Sequence, residues 1–164
     1  MRKILTLTVA AVLLLMSIPA ASAKSDARPI KGVMSGELLF IGDADCDNPW
    51  KLRTASAATG NISHLGRTEM NAGHCTPTGP LAEGGEMTLT AANGDQVFIE
   101  YEGLAAPLNE DGIIIVDVDF VVVGGDGRFD GAHGHGDMIV FAVFEGFDDF
   151  AWPATWVLNG EIGY

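Results

Sequence analysis

The segment from Gly124 to Asp137, GGDGRFDGAHGHGD, combines a glycine-rich run with a His-x-His pair. Side chains two residues apart on a strand point to the same side, so His133 and His135 could bind a transition metal with Asp137 as a third ligand. Zinc or copper would suit these ligands. The competing interpretation is the polar, solvent-facing side of a glycine-rich strand. We favour it and expect neither a metal nor a cofactor.

The glycines of the same segment could belong to a nucleotide-binding turn, to a calcium-binding repeat or to a structural turn. A dinucleotide-binding turn would be followed by a helix, but DMIVFAVFEG downstream has the pattern of a strand. A calcium-binding nonapeptide repeat needs an aspartate where Phe129 stands, and it recurs in several copies. We therefore predict a structural turn in which Gly124, Gly125 and Gly127 allow sharp bending and close backbone approach, while Phe129 fills the core.

Two acid pairs, Asp117/Asp119 and Asp148/Asp149, raise the question of glycoside hydrolysis. Carboxylates two residues apart on a strand lie about 7 Å apart, which an inverting mechanism tolerates. Aspartates are also common on the outer face of a strand, and no G-x-S-x-G nucleophile elbow is present. We assign no catalytic residue, so the question of enzymatic activity stays open.

The first residues, MRKILTLTVAAVLLLMSIPAASAK, predict an export signal. A basic pair precedes an apolar run, and Ala21-Ser22-Ala23 matches a cleavage site for signal peptidase. The apolar run is shorter than the ~20 residues that a membrane-spanning helix needs. We predict a signal peptide over residues 1–23, a single domain over 24–164, and a secreted or periplasmic protein.

The chain has two cysteines, Cys46 and Cys75. In an oxidising compartment they are expected to form a disulfide. The alternative is a Cys/His metal site that includes His64 or His74. Structural zinc sites use closely spaced cysteine pairs, which are absent here, so we favour the disulfide.

The formal net charge of the chain is −13. The acidic residues are spread along the sequence, and such a surface repels nucleic acid and anionic lipid head groups. We therefore expect no nucleic-acid partner and no stable insertion into a membrane.

Strand patterns dominate the region after the predicted signal, and helix-period patterns are nearly absent. In EMTLTAANGDQVFIEYEG, two alternating runs flank Asn93-Gly94, which predicts a hairpin with a two-residue type I′ turn. Its buried face should carry Met87, Leu89 and Ala91 on one arm and, on the other, Val97, Ile99 and Tyr101. The strands are predicted in VMSGELLF, NISHLGRTEM, EMTLTAA, QVFIEYEG, GIIIVDVDFVVV, DMIVFAVFEG and TWVLNGEIGY.

The run Ile113–Val123 is the most apolar of these strands. Its even-numbered residues are all apolar, while the odd face carries Asp117 and Asp119. A strand this apolar is central to its sheet. Seven or eight such strands indicate an all-β antiparallel barrel or sandwich, and a barrel would leave no exposed edges.

Three segments of the sequence resemble the allene oxide cyclase and dirigent barrels. They are HLGRTEM from His64, LTAANGDQVF from Leu89 and GGDGRFDGAHGHG from Gly124. The last is similar to a Gly-Gly-Thr-Gly-x-Phe-x-x-Ala-x-Gly pattern of that group, with Asp126 in place of the threonine. The resemblance implies a single antiparallel eight-stranded barrel whose lumen can hold a small apolar molecule. It also makes a homo-oligomer plausible.

Members of the resembled group catalyse or direct different reactions on one barrel, so the fold does not assign the chemistry. We expect an exported barrel that binds a small hydrophobic ligand in its lumen, without assigned catalysis. One alternative is an isomerase or cyclase that steers a reactive lipid or phenolic molecule there. Another is a small outer-membrane barrel, although the 8% aromatic content is low for one.

Overall fold

The computed structural model describes residues 27–146 and 150–164. The predicted signal peptide, residues 1–23, and the acid pair Asp148/Asp149 lie outside the described residues. Within these two ranges, no helix is long and apolar enough to cross a membrane.

The described chain forms a closed antiparallel barrel in which each strand pairs with its neighbours in sequence. Pairing of the last strand with the first closes the barrel, from Arg28 opposite Ile162 to Leu39 opposite Ala151. The predicted all-β, eight-stranded antiparallel barrel is thereby confirmed. The strands are β1 (Arg28–Gly42), β2 (Leu52–Ile62), β3 (Gly66–Cys75), β4 (Leu81–Ala91), β5 (Gln96–Ala105), β6 (Ile113–Asp126), β7 (His133–Val143) and β8 (Ala151–Gly163).

Alternation of apolar and polar residues determines which face of each strand points inward. In β5, Val97, Ile99 and Tyr101 are buried, whereas Glu100 and Glu102 are exposed. The predicted buried faces of the β4–β5 hairpin are therefore correct. The same parity holds in β6, whose inward residues include Val118, Phe120 and Val122.

The turn of the β4–β5 hairpin differs from the predicted type I′. Asn93 does not have the positive φ that this type requires, and only Gly94 does, at 91°. The amide of Gly94 donates to the carbonyl of Ala91, and the Ala91 amide donates to the carbonyl of Asp95. This is a three-residue loop, a type I turn followed by a glycine bulge, which suits the twist of a hairpin equally well.

The segment before Asn61 was not predicted to be a strand, yet it forms most of β2. Its residues are mainly alanine, threonine, serine and glycine, which produce little hydrophobic alternation. The strand expected over Asn61–Met70 is instead a hairpin, with β2 ending at Ile62, His64 at a φ of 67° in the turn, and β3 starting at Gly66.

One end of the barrel, which we call the closed end, is filled by large side chains beneath short turns. Phe129 lies in a single 3-10 turn, Gly127–Phe129, between β6 and β7, and it is fully buried. Its ring packs edge-on against Tyr164, with the ring centroids 4.8 Å apart. The guanidinium carbon of Arg128 lies 4.8 Å from the centroid of the Phe129 ring, and the Arg128 Nη2 atom donates a hydrogen bond to the carbonyl of His64. These contacts tie the β6–β7 and β2–β3 turns together.

Two of the three glycines predicted to form this turn have a steric reason to be glycine. A Cβ on Gly125 would lie 2.6 Å from the Cβ of Phe129, and Gly127 has a φ of 66° with Asp95 against it. A Cβ on Gly124 would meet only Phe98, at an ordinary 3.7 Å. The close approach therefore concerns Gly125 and Gly127.

The opposite end, which we call the open end, carries the longer loops 43–51, 76–80 and 106–112. Cys46 in the first loop pairs with Cys75 at the end of β3, with the two Cα atoms 5.4 Å apart. The predicted pairing of these cysteines is confirmed at disulfide distance. The cross-link holds the first loop against the rim of the barrel.

Candidate functional site

A cavity of about 440 Å³ occupies the open half of the barrel, and we call it the lumen cavity. Its wall is mostly apolar, with Val116 and Val140 on one side and the aromatic rings of Phe40, Trp152 and Trp156 on the other strands. The barrel wall excludes bulk water from the sides, so access is through the open end. A concave, mostly apolar cavity with few polar groups is the usual form of a small-molecule site.

The lumen is hollow in this half because several of its inward positions carry small side chains. In the closed half, the fully buried side chains include Ile30, Met70, Leu89, Ile99 and Leu158. Around the cavity, the strands contribute instead a set of small residues, Ser56, Ala72, Ala82, Gly103, Ala105 and Ala142. Closely packed interiors leave few voids of this size, so the difference in side-chain volume creates the cavity.

The most polar feature of the lumen cavity is a hydrogen bond between His74 and Tyr101. The Nδ1 atom of His74 on β3 lies 2.9 Å from the hydroxyl of Tyr101 on β5. The rings meet nearly perpendicular, with centroids 5.8 Å apart. Both residues line the cavity, so the pair faces whatever enters it.

An irregularity in β4 lets Tyr101 reach across to β3. The register of the β4–β5 pairing shifts between Ala82 and Gly85, and Gly84 has a φ of 63°. The Tyr101 ring lies over Gly85, where a Cβ would come 2.6 Å from the ring atom Cδ2. Glycine at this bulge therefore leaves room for the ring that bonds His74.

Burial, and to a smaller extent the nearby positive charge of Arg53, lower the pKa of His74 to about 4. Burial raises the pKa of the Tyr101 phenol, because the phenolate would lose hydration, while Arg53 opposes this rise. Both effects favour uncharged side chains. At neutral pH the pair is neutral, which suits an apolar ligand.

Three hydroxyl groups of the strands and rim also face the lumen cavity. Thr54 and Thr76 share a hydrogen bond of 3.0 Å between their side-chain oxygens. Ser56, two residues along β2 from Thr54, is 8% exposed. The polar groups of the cavity thus cluster on β2, β3 and β5, opposite the apolar β6 and β7.

The disulfide lies next to this cluster, because Cys75 directly follows His74. Lys51 reinforces the cross-linked loop by donating from Nζ to the carbonyl of Cys46 at 2.8 Å. A cross-link over a loop of this length stabilises a fold by about 3–4 kcal/mol in the loop-entropy model. It restrains the end of β3 that carries His74.

Exposed aromatic side chains flank the mouth of the lumen cavity. Trp50 is 55% exposed and Phe150 is 57% exposed. They line a surface depression that shares Phe40, Pro77 and Trp152 with the lumen cavity. An apolar surface therefore continues from the outside into the barrel.

The His-x-His segment lies on the outer wall, away from the lumen cavity. His133, His135 and Asp137 are all exposed on β7. His135 Nδ1 lies 3.6 Å from a carboxylate oxygen of Glu161 on β8. Among the residues that the structure describes, no three His, Cys, Asp or Glu side chains come close enough together to hold a metal ion.

A second depression of about 570 Å³ runs along the outside of β4 to β7. Its lining is acidic and open to solvent, and it includes Asp119, which pairs across the sheet with Asp137. Asp117 is exposed on the same outer face. Neither member of this acid pair faces the lumen cavity, so they do not form a lumenal acid–base site.

The polar residues of the lumen cavity were not identified as a site from the sequence. His74 entered only as an alternative ligand beside the cysteines, and Tyr101 only as part of a buried face. The Gly84-Gly85 doublet inside β4 is the local signal that could have pointed to a bulge or a close approach, and Tyr101 is the ring that approaches. No local signal marked Ser56, because β2 itself was not predicted.

Comparisons with protein-family models, with curated proteins and with solved structures found no match for this chain. The resemblance to the allene oxide cyclase and dirigent barrels thus remains a hypothesis that depends on the three sequence segments.

Proposed function

We propose that this protein binds a small, mainly apolar molecule in the lumen cavity, entering through the open end. The observation that supports the proposal is the apolar cavity of about 440 Å³ inside the open half of the barrel. It lies above a tightly filled closed end, so the barrel wall is stable without side chains in that space. The exposed aromatic rings at the mouth offer a first contact for an apolar molecule.

The size of the cavity sets the strength of binding that the proposal implies. Burying roughly 300 Å² of apolar ligand surface contributes about 7 kcal/mol. Association costs offset part of this, so micromolar to millimolar dissociation constants are the expected range. The expected ligand is therefore bound reversibly.

The proposal includes export to the cell exterior or the periplasm. The predicted signal peptide supports it, and the Cys46–Cys75 pair is compatible with an oxidising compartment. The outer wall carries exposed carboxylates such as Glu86, Glu100 and Asp119. Carboxylates on the outer wall disfavour an outer-membrane barrel, whose lipid-facing wall is apolar.

The second candidate function is an isomerase or cyclase acting on a reactive apolar substrate. The hydrogen-bonded His74–Tyr101 pair supports it, because a titratable pair with shifted pKa values in a cavity is typical of acid–base sites. The low pKa makes His74 a weak base, and for this reason we favour simple binding.

Native mass spectrometry of the protein, purified from the exported fraction of its own host, tests the proposed function. A bound small molecule that dissociates on mild activation is the expected result, and its mass identifies the ligand class. The same spectra report the oligomeric state.

A lumen-filling variant, Ala142→Phe, should lose the bound molecule, whereas Ala57→Phe on the outer wall should retain it. Ala142 lines the cavity and Ala57 is exposed on β2, so the pair is matched in chemistry and differs in position. Equal retention by both variants would contradict binding in the lumen.

A further inference from the structure

The lumen cavity has one polar side, and its groups have hydrogen-bonding capacity to spare. Ser56, His74 and Tyr101 line the cavity from β2, β3 and β5. Ser56 and His74 occupy diagonal positions of the β2–β3 ladder, since Thr54 lies opposite His74. Diagonal neighbours have Cα atoms about 7–8 Å apart, so a small group between them is within reach of both side chains.

Ser56 provides the first observation. It is 8% exposed, and its hydroxyl makes no hydrogen bond with any residue that the structure describes. A hydroxyl that is buried without a hydrogen-bond partner carries a desolvation cost. A ligand atom that bonds this hydroxyl would remove that cost.

The His74–Tyr101 pair provides a second, independent observation. A neutral imidazole carries one N–H, and the phenol carries one O–H, yet a single bond of 2.9 Å joins them. If Tyr101 donates in that bond, the imidazole N–H remains available to donate to a ligand. If His74 donates, the phenolic O–H remains available to donate to a ligand. In either arrangement the pair keeps one hydrogen to donate and one lone pair to accept.

We propose that the ligand carries one carbonyl or hydroxyl oxygen at the end of an otherwise apolar body. This inference rests on the proposed binding in the lumen. That oxygen accepts a hydrogen bond from the His74–Tyr101 pair and a second from Ser56. The apolar body packs against β6, β7 and the aromatic rings near the mouth. A charged head group is disfavoured, because no charged side chain among the described residues lines the cavity and the nearby Arg53 is already paired with Asp43.

Three probes of one shape test this assignment: ethylbenzene, acetophenone and 1-phenylethanol. Their dissociation constants are measured by NMR titration of the isotope-labelled full chain. For each probe, the dissociation constant of the variant is divided by that of wild type, so the contribution of the probe's own hydrophobicity drops out. We expect Tyr101→Phe to weaken acetophenone and 1-phenylethanol by about 3- to 10-fold, because it removes either the phenolic donor itself or the hydrogen bond that orients the imidazole N–H. Ethylbenzene should bind that variant within about 2-fold of wild type, because the aromatic ring is kept.

Ser56→Ala is a second variant and does not depend on the fold tolerating a change at Tyr101. It should also weaken the two oxygen-bearing probes selectively. The matched controls are Tyr164→Phe at the closed end and Ser35→Ala on the outer wall, and neither residue lines the cavity. Both controls should leave all three dissociation constants unchanged.

The outcomes separate this inference from the proposed function. Loss of affinity confined to the oxygen-bearing probes supports the inference. Equal effects on all three probes, or none, would overturn it and leave lumenal binding intact. If no probe shifts the resonances of cavity residues up to its solubility limit, lumenal binding of such molecules fails, and the inference fails with it.

Discussion

At the scale of single residues, His74 connects the chemistry of the lumen to the stability of the barrel. Its pKa is lowered from 6.5 to about 4 by burial, with Arg53 contributing in the same direction. In the unfolded chain the imidazole regains its ordinary pKa, so between these two values the unfolded state binds more protons than the folded state. Stability therefore falls as the pH decreases from 6.5 towards 4, and the contribution of His74 levels off below that value.

The corresponding prediction uses His74→Gln, which can keep a hydrogen bond to Tyr101 but does not titrate. Between pH 6.5 and 4, wild type should lose at most about 3 kcal/mol more unfolding free energy than the variant. Urea unfolding at a series of pH values, followed by circular dichroism, measures the difference. Parallel pH profiles for the two proteins would mean that His74 titrates normally in the folded state.

At the scale of elements, the bulge in β4 determines where Tyr101 lies. The register shift between Ala82 and Gly85 and the absent side chain at Gly85 let the phenol ring cross β4 and reach His74 on β3. A regular β4 with a larger residue there would push the ring away. The bulge is therefore the element that assembles the polar side of the lumen cavity.

We predict that Gly85→Ala destabilises the barrel by about 1–3 kcal/mol, the usual range for overpacking. The added Cβ would lie 2.6 Å from the Tyr101 ring, which must move and break its bond to His74. Thermal unfolding measures the stability, and the His74 ring resonances report the broken bond. Gly42→Ala is the control, since its Cβ would meet nothing within 4 Å. An equal effect of the two substitutions would show that the Tyr101 contact is not the cause.

At the scale of the whole molecule, the barrel divides into a filled half and a hollow half. Large buried side chains and Phe129 close one end, while small residues leave the lumen cavity at the other. The stability of the fold should therefore reside mainly in the closed half. A barrel built in this way can keep an open cavity without losing its shape.

The same substitution placed in each half tests this division. Val97→Ala, in the closed half, removes methyl groups from a fully buried position and should cost about 2–3 kcal/mol. Val116→Ala, on the cavity wall, should cost under about 1 kcal/mol, because its side chain already borders space. Denaturant unfolding measures both values. Similar losses at the two sites would argue against a filled and a hollow half.

Local patterns in the sequence were sufficient for much of the fold. Period-two alternation in β4 to β8 predicted the strands and the buried parity of Val97, Ile99 and Tyr101, because burial on one face imposes that alternation. Sparse cysteines predicted the Cys46–Cys75 pair. The strand β2 was largely missed, since a strand lining a hollow lumen needs no large apolar residues and so leaves no hydrophobic pattern.

Only the tertiary structure decided which residues meet. His74 and Tyr101 are 27 residues apart in sequence, and their contact depends on barrel closure and on the bulge at Gly85, neither of which is a local property. Alternation tells which side chains point inward, but it cannot tell whether the inward space is filled. That depends on the summed side-chain volume of all the strands at one level of the barrel, and there the small residues around Ser56 leave the cavity open.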